Sequence, residues 1–205
     1  MFNTIADFAP ESIEAGTGLA IQDYAKRYLF FLAGTRHRCP PGQIFYAGIG
    51  GHREAGEDWP ACAQREAQEE IGRTVDLISA TETWYLPQQG QAQKVSLSDR
   101  PRPWALYEMV HTPDAPRAGR LYRLVIYQAR LKDSPQNLPP DEVQGIIALT
   151  RTQIMHGLRI RPTLAELLAE GAVIVAGAEA IDRQTRLFPV GTATALSRIL
   201  PHLPP

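Results

Sequence analysis

Three carboxylates crowd one short stretch of the sequence: Glu66, Glu69 and Glu70, within Arg65-Glu66-Ala67-Gln68-Glu69-Glu70-Ile71. On a helix, at about 100° per residue, they fall on one face within an arc of roughly 100°. Like charges so placed repel, and a helix built only for stability avoids them. A hard divalent cation such as Mg²⁺ takes oxygen ligands and turns that repulsion into a binding site. The plain alternative is a solvated face, since Arg65–Glu69 and Glu69–Arg73 are both i,i+4 pairs of opposite charge.

The surrounding spacing favours the cation. Gly51, Glu57, Arg65, Glu66, Ala67, Glu69, Glu70 and Gly72 all fall on the pattern Gly-x5-Glu-x7-Arg-Glu-U-x-Glu-Glu-x-Gly-U, where U is aliphatic. This stretch resembles the signature of the Nudix hydrolases, and departs from it at Arg73, where the family has an aliphatic residue. The resemblance covers about residues 20–160. It implies an α+β fold, an α/β/α sandwich with a mixed curved β-sheet, and Mg²⁺-dependent cleavage of a phosphoanhydride, with Mn²⁺ as a substitute ion. It implies Glu66 and Glu70 as main metal ligands, Glu69 as ligand to a further ion, and the Gly50 carbonyl as an extra ligand. Arg65 enters the catalytic set by bracing the loop and helix through a charge-assisted pair with Glu57. Many members add a carboxylate from a downstream loop as general base or ligand, and Asp141 and Glu142 occupy the comparable place. Glu142 has the longer reach of the two. Glu108 and His52 are the alternatives.

The elements around the motif suit it. Gln43–Ile49 is short, apolar and aromatic, and reads as a strand running into a glycine loop. Asp58 can cap a helix over 58–71, Pro60 fits its first turn, and Gly72 can stop it. Ala63, Ala67 and Ile71 make a stripe that can pack on a sheet. Further strands are expected at Tyr24–Ala33, Val75–Leu86, Trp104–His111, Leu121–Leu131 and Val143–Leu149, with a turn over Thr112–Arg120. Short helices are expected at Thr152–Gly157, Leu164–Glu170 and Thr192–Leu200, with a short buried run at Val173–Ala176. The chain divides into a loosely structured lead-in at 1–19, the main domain at 20–160 and a helical extension at 161–205 packed on it. Two connections, 87–103 and Asp133–Glu142, are long enough to be functional or mobile.

Composition narrows the class further. At 205 residues the chain can bury one sizeable core, and its net charge of −1 lacks the basic footprint of a dedicated nucleic-acid binder. Two cysteines, Cys39 and Cys62, do not make a disulfide framework. Without a signal-like start or an apolar run of membrane length, a cytoplasmic protein is the expectation. Oligomeric state stays open, a homodimer included.

A nucleotide-type small molecule is the expected substrate: a nucleoside diphosphate linked to another moiety, as in ADP-ribose or a nucleotide sugar. A nucleoside triphosphate is the second choice. Trp84, Tyr85, Trp104 and Tyr107 could stack a base, although strand aromatics serve cores more often. Tyr85-Leu86-Pro87 is similar to a tyrosine/proline element of ADP-ribose-type members. Arg36, Arg38, Arg100 and Arg102 are candidates to meet phosphate. A non-hydrolysing nucleotide-sugar sensor of the same fold is the competing reading. Such modules tend to lose box glutamates and to carry a DNA-binding domain; here all three glutamates are present, and 161–205 shows no basic recognition helix.

Overall fold

The computed structural model describes residues 2–111 and 118–204. Of the turn expected over 112–120, residues 112–117 lie outside the described residues. The first half of the chain forms α1 (Ile5–Phe8), β1 (Ala15–Gln22), β2 (Tyr28–Ala33), β3 (Gln43–Ala47), α2 (Trp59–Ile71), β4 (Val75–Ile78), β5 (Thr83–Leu86), β6 (Gln93–Val95) and β7 (Ala105–Val110). The second half forms β8 (Leu121–Leu131), β9 (Val143–Leu149), α3 (Arg151–His156), α4 (Leu164–Ala169), β10 (Val173–Gly177), β11 (Arg186–Pro189) and α5 (Thr192–Ile199), then a 3₁₀ turn.

The strands join in one mixed sheet, ordered β10-β9-β2-β1-β8-β7-β5-β6. β3 pairs with β2 and β11, and β4 with β8. β1 runs parallel to β8 and antiparallel to β2. β2 divides one edge between β1 and β3, and β8 divides the edge opposite β1 between β7 and β4. This branching is what bends the sheet away from a flat ribbon.

Side-chain alternation splits the core into two layers, as a period of two requires for a sheet covered on both faces. Leu19, Ile21, Leu29, Phe31, Val125, Tyr127 and Ile146 face α1 and α2, among Ala63, Ala67 and Ile71. Ala20, Phe30, Leu32, Leu124, Ile126 and Ile147 face the other side, under Ile154, Leu164, Leu167, Leu196 and Ile199 of α3, α4 and α5. The α/β/α sandwich follows from that double burial. Among the described residues no helix is long and apolar enough to cross a membrane.

Three regions differ from the sequence reading. Residues 1–19 are not a loose lead-in: α1 carries a capping box between Thr4 and Asp7, and β1 lies inside the sheet, buried almost end to end. Gly16 and Gly18 suggest a break when read alone, but small residues suit a strand approached closely on both faces. Residues 161–205 are not only helical, since β11 runs parallel to β3 and β10 forms an edge beside β9. Val173 there is exposed rather than buried. The 87–103 connection contains β6, and its Ser98 and Asp99 bond the backbone of Asn3 and Ile5, which ties the N-terminal segment down.

Candidate active site

Local signals in α2 behave as their chemistry dictates. The Asp58 side chain accepts the Ala61 N–H at 2.6 Å, and Gly72 ends the helix in the left-handed conformation at φ 62°. Ala63, Ala67 and Ile71 bury against the sheet, which turns Glu66 and Glu70 inward at the edge of that stripe, 9% and 6% exposed. Glu69 points to solvent, its side chain 56% exposed.

β3 leads into the glycine loop, which folds back onto β1. The Leu19 N–H donates to the Ile49 carbonyl at 2.8 Å and the Thr17 N–H to the Gly51 carbonyl at 3.0 Å. Gly50 takes a φ of 141°, and its N–H donates to a Glu70 carboxylate oxygen at 2.8 Å. A β-carbon on Gly51 would stand 2.5 Å from the Glu66 carboxylate. Bare backbone therefore lies directly against both inward carboxylates, and any side chain would separate them.

Arg65 joins the loop to the helix. It holds Glu57 with two bonds, 2.9 and 3.1 Å, and reaches Glu66 at 2.8 Å, Glu69 at 3.0 Å and the His52 carbonyl at 2.9 Å. That bidentate pair keeps the Glu57 carboxyl below its ordinary range, so its contribution to stability is present at neutral pH and lost as pH falls through the carboxylate range. Arg65→Ala leaves these carboxylates without their cation. We expect a loss of about 1.5–3 kcal/mol, or roughly 3–12 °C in melting temperature for a chain this size, together with lower activity. Unchanged melting with lost activity would assign Arg65 to the chemistry alone.

Glu142 arrives from elsewhere in the chain. Its backbone is pinned where the turn after β2 meets β9: the Gly34 N–H donates to the Glu142 carbonyl at 2.7 Å and the Arg36 N–H to the Asp141 carbonyl at 2.9 Å. The side chain forms an ion pair with Arg36. The Glu142 charge acts on both Glu66 and Glu70, whose carboxyls sit above their ordinary range, mainly because burial disfavours the charged form. Asp141 contributes its carbonyl to this junction. The Glu142 charge is thus within electrostatic range of both acids.

Among the described residues no three His, Cys, Asp or Glu side chains are grouped as a metal site; Arg65 bonds Glu66 and the Gly50 N–H bonds Glu70. The donor set nevertheless fits a hard divalent ion: two buried carboxylates, a third within electrostatic range, and a glycine backbone beside them, all oxygen donors. The buried carboxyls meet the Gly50 N–H and the Arg65 and Arg36 charges, yet both stay above their ordinary range, and a bound cation would offset the remaining cost of their burial. Cys62 is buried beside the box, 3.3 Å from the Thr17 hydroxyl, and burial pushes its thiol up to about 12.

A family model of the NUDIX domain matches residues 15–170. The chain belongs to the Nudix family. Similar solved structures include a MutT protein from Methanosarcina mazei, with TM-score 0.48, 12% identity, 70% of this chain and 80% of that chain covered. An Ap4A hydrolase from C. elegans gives TM-score 0.46 and 17% identity over 70% of this chain and 84% of that one. DR0079 from Deinococcus radiodurans gives 0.42 and 16% over 81% and 77%. No curated protein sequence gives a significant match. As a Nudix hydrolase, this protein acts on phosphorus-containing acid anhydrides, and its family generally uses divalent cations.

Other candidate residues of this Nudix protein are engaged elsewhere. Glu108 pairs with Arg123 at 3.1 Å and accepts the Tyr85 hydroxyl at 3.0 Å. Tyr85 packs edge-on against Phe2 and Phe8, which removes it as an open stacking surface. Trp84, Trp104 and Tyr107 are core residues; Trp104 stacks on Tyr28 and Trp84 on His202. Arg100 and Arg102 hold loop carbonyls. Of the four arginines proposed to meet phosphate, Arg36 lies beside an acidic candidate. An open cleft of about 720 Å³, bordered by Gln22, Tyr24, Lys26, Arg130 and Lys132, lies at the opposite end of β1 and includes none of the box acids. Sequence reasoning missed Thr17, Tyr122 and His111 near the glycine loop. Alternate glycines in a strand, Gly16 and Gly18, were the one available signal.

Proposed function

We propose that the protein is a Mg²⁺-dependent pyrophosphohydrolase cleaving a nucleoside diphosphate linked to another moiety, of the ADP-ribose or nucleotide-sugar kind, and releasing a nucleoside monophosphate. The observation that carries the reading is the full set of box glutamates on α2 with Glu142 folded against it, a set that a sensing module has no need to keep. Glu66, Glu70 and the Gly50 carbonyl would hold the principal ion and Glu69 a further one. Bound there, the ion supplies positive charge to the phosphate oxygens and lowers the pKa of water. Glu142 takes the proton as the oxygen–phosphorus bond forms and the bridging bond breaks. Arg65 and Glu57 keep loop and helix in register.

Charge supports a diphosphate over a triphosphate. The arginines that approach the acids, Arg36 and Arg65, are already engaged by carboxylates, so the site has little surplus positive charge for a more anionic substrate. The test is a panel of ADP-ribose, nucleotide sugars and nucleoside triphosphates with Mg²⁺, Mn²⁺ or chelator, read by phosphate release after phosphatase. Turnover of the linked diphosphates with Mg²⁺, absent in chelator, is expected. Faster turnover of triphosphates would replace the substrate class; no turnover with either ion would favour the sensor.

A further inference from the structure

Arg73 is the position at which the box departs from its pattern, a cation where an aliphatic side chain is expected. It is not spent on Glu69, four residues back, since Arg65 holds that acid at 3.0 Å. Instead the Arg73 Nε donates to the Ser134 carbonyl at 2.8 Å, in the connection between β8 and β9. Two further contacts fasten the same pair of segments. The Gln136 N–H donates to the Ile71 carbonyl at 3.0 Å, so a carbonyl that the end of α2 leaves without a partner in the helix is met by a distant stretch of chain. Gly72, at φ 62°, lies so close that a β-carbon there would stand 2.5 Å from the Gln136 carbonyl oxygen.

We propose that Arg73 is a positioning residue: by fastening the 133–142 connection to the end of α2, it sets where Glu142 stands relative to Glu66 and Glu70. The catalytic part of this reading rests on the role given to Glu142 above. Little slack lies between anchor and acid. Glu142 is six residues beyond Gln136, and Pro139 and Pro140 between them have fixed φ. Asn137 takes the left-handed conformation at φ 51°, and Leu138 packs in the core layer that holds Ala67 and Ile71. The Glu142 and Val143 N–H groups then both donate to the Pro139 carbonyl, at 2.9 and 2.7 Å, in a turn that ends on Glu142. The Glu142 carbonyl in turn accepts the Gly34 N–H at 2.7 Å. An aliphatic side chain at position 73 could pack, but it could not bond the Ser134 carbonyl.

The test reads hydrogen exchange and turnover in Arg73→Leu, which supplies the aliphatic type, and in Arg73→Lys, which keeps a donor. Exchange at the Gly34, Glu142 and Val143 amides, followed by NMR on the protein alone, should quicken about tenfold in Arg73→Leu, while the Thr17 and Leu19 amides hold their rates. With the best substrate of the panel above, kcat should fall about tenfold with KM and Mg²⁺ affinity little moved, since a displacement of about 1 Å can cost a hundredfold. Arg73→Lys should recover most of both losses. In a Glu142→Gln background, Arg73→Leu should cost less than about twofold, because the group it positions is gone. Wild-type exchange at all three amides overturns the proposal, as does an equal loss of turnover in both backgrounds. Quickened exchange in a protein whose Glu142→Gln variant stays as active as wild type would keep the anchor and remove the base. Turnover lost in Glu142→Gln but intact in Arg73→Leu would keep the base and remove the anchor.

Discussion

Glu70→Gln should abolish turnover and, at the same time, raise the melting temperature of the metal-free protein. Glu70 is 6% exposed, is bonded by the Gly50 N–H, and feels the like charges of Glu66 and Glu142. Burial holds its carboxyl well above the ordinary range. A carboxyl raised in the folded state favours folding below its unfolded pKa, and that advantage disappears as pH climbs through its folded value. At neutral pH the charged side chain therefore costs stability, and the amide removes that cost while still accepting the Gly50 N–H. The gain should be a few degrees, at about 2–4 °C per kcal/mol for a chain of this size, and should shrink as pH falls toward the ordinary carboxylate range. Mg²⁺ at a hundred times its dissociation constant should add about 2.7 kcal/mol to wild type and far less to the variant. Glu66→Gln should lose turnover likewise, with a smaller thermal gain because its bond to Arg65 is weakened. Melting curves in chelator and in Mg²⁺, beside a turnover assay, decide it. A confirmed variant running at the wild-type rate removes the assignment of that acid.

Glu142→Gln should lower the turnover number by about two to four orders of magnitude, the usual share of general-base catalysis, with Mg²⁺ affinity little changed. The substitution is nearly isosteric, and Arg36, its ion-pair partner, is exposed enough to be solvated without it. The fold should therefore survive, so lost activity would report on chemistry. Asp141→Asn is the control: the structural role of Asp141 runs through its carbonyl, which accepts the Arg36 N–H, and that variant should stay close to wild type. Single-turnover rates with saturating substrate separate the proton step from binding. A Glu142→Gln enzyme within threefold of wild type would move the base onto the box acids. The ion pair of Glu108 with Arg123 makes Glu108 a poor replacement.

What the sequence alone determined about this protein is the part governed by short-range rules. Carboxylate spacing, the Asp58 cap, the Ala63–Ala67–Ile71 stripe and the Gly72 stop each act within a turn or two of helix. Together they specify α2 and the shared side of Glu66, Glu69 and Glu70, whereas packing on the sheet decides that Glu66 and Glu70 are buried and Glu69 exposed. The pairing of Glu57 with Arg65 was implied by the family resemblance, and the structure makes it with two hydrogen bonds. Alternation of apolar residues located most of the strands but could not say which would be neighbours, because hydrophobic period carries no information about partners. It misread β1 altogether: its glycines look like breakers until the tyrosine and the loop backbone that occupy their space are known. Only the tertiary structure decided that β9 lies beside β2, and so brings Glu142 and Arg36 to the acids of a distant helix. Only it decided that Phe2 and Phe8 cover Tyr85, and that Tyr122, never suspected from the sequence, stands next to Gly16. Strand pairing joins segments far apart along the chain, and the contacts it creates belong to the assembled sheet rather than to any one stretch of residues.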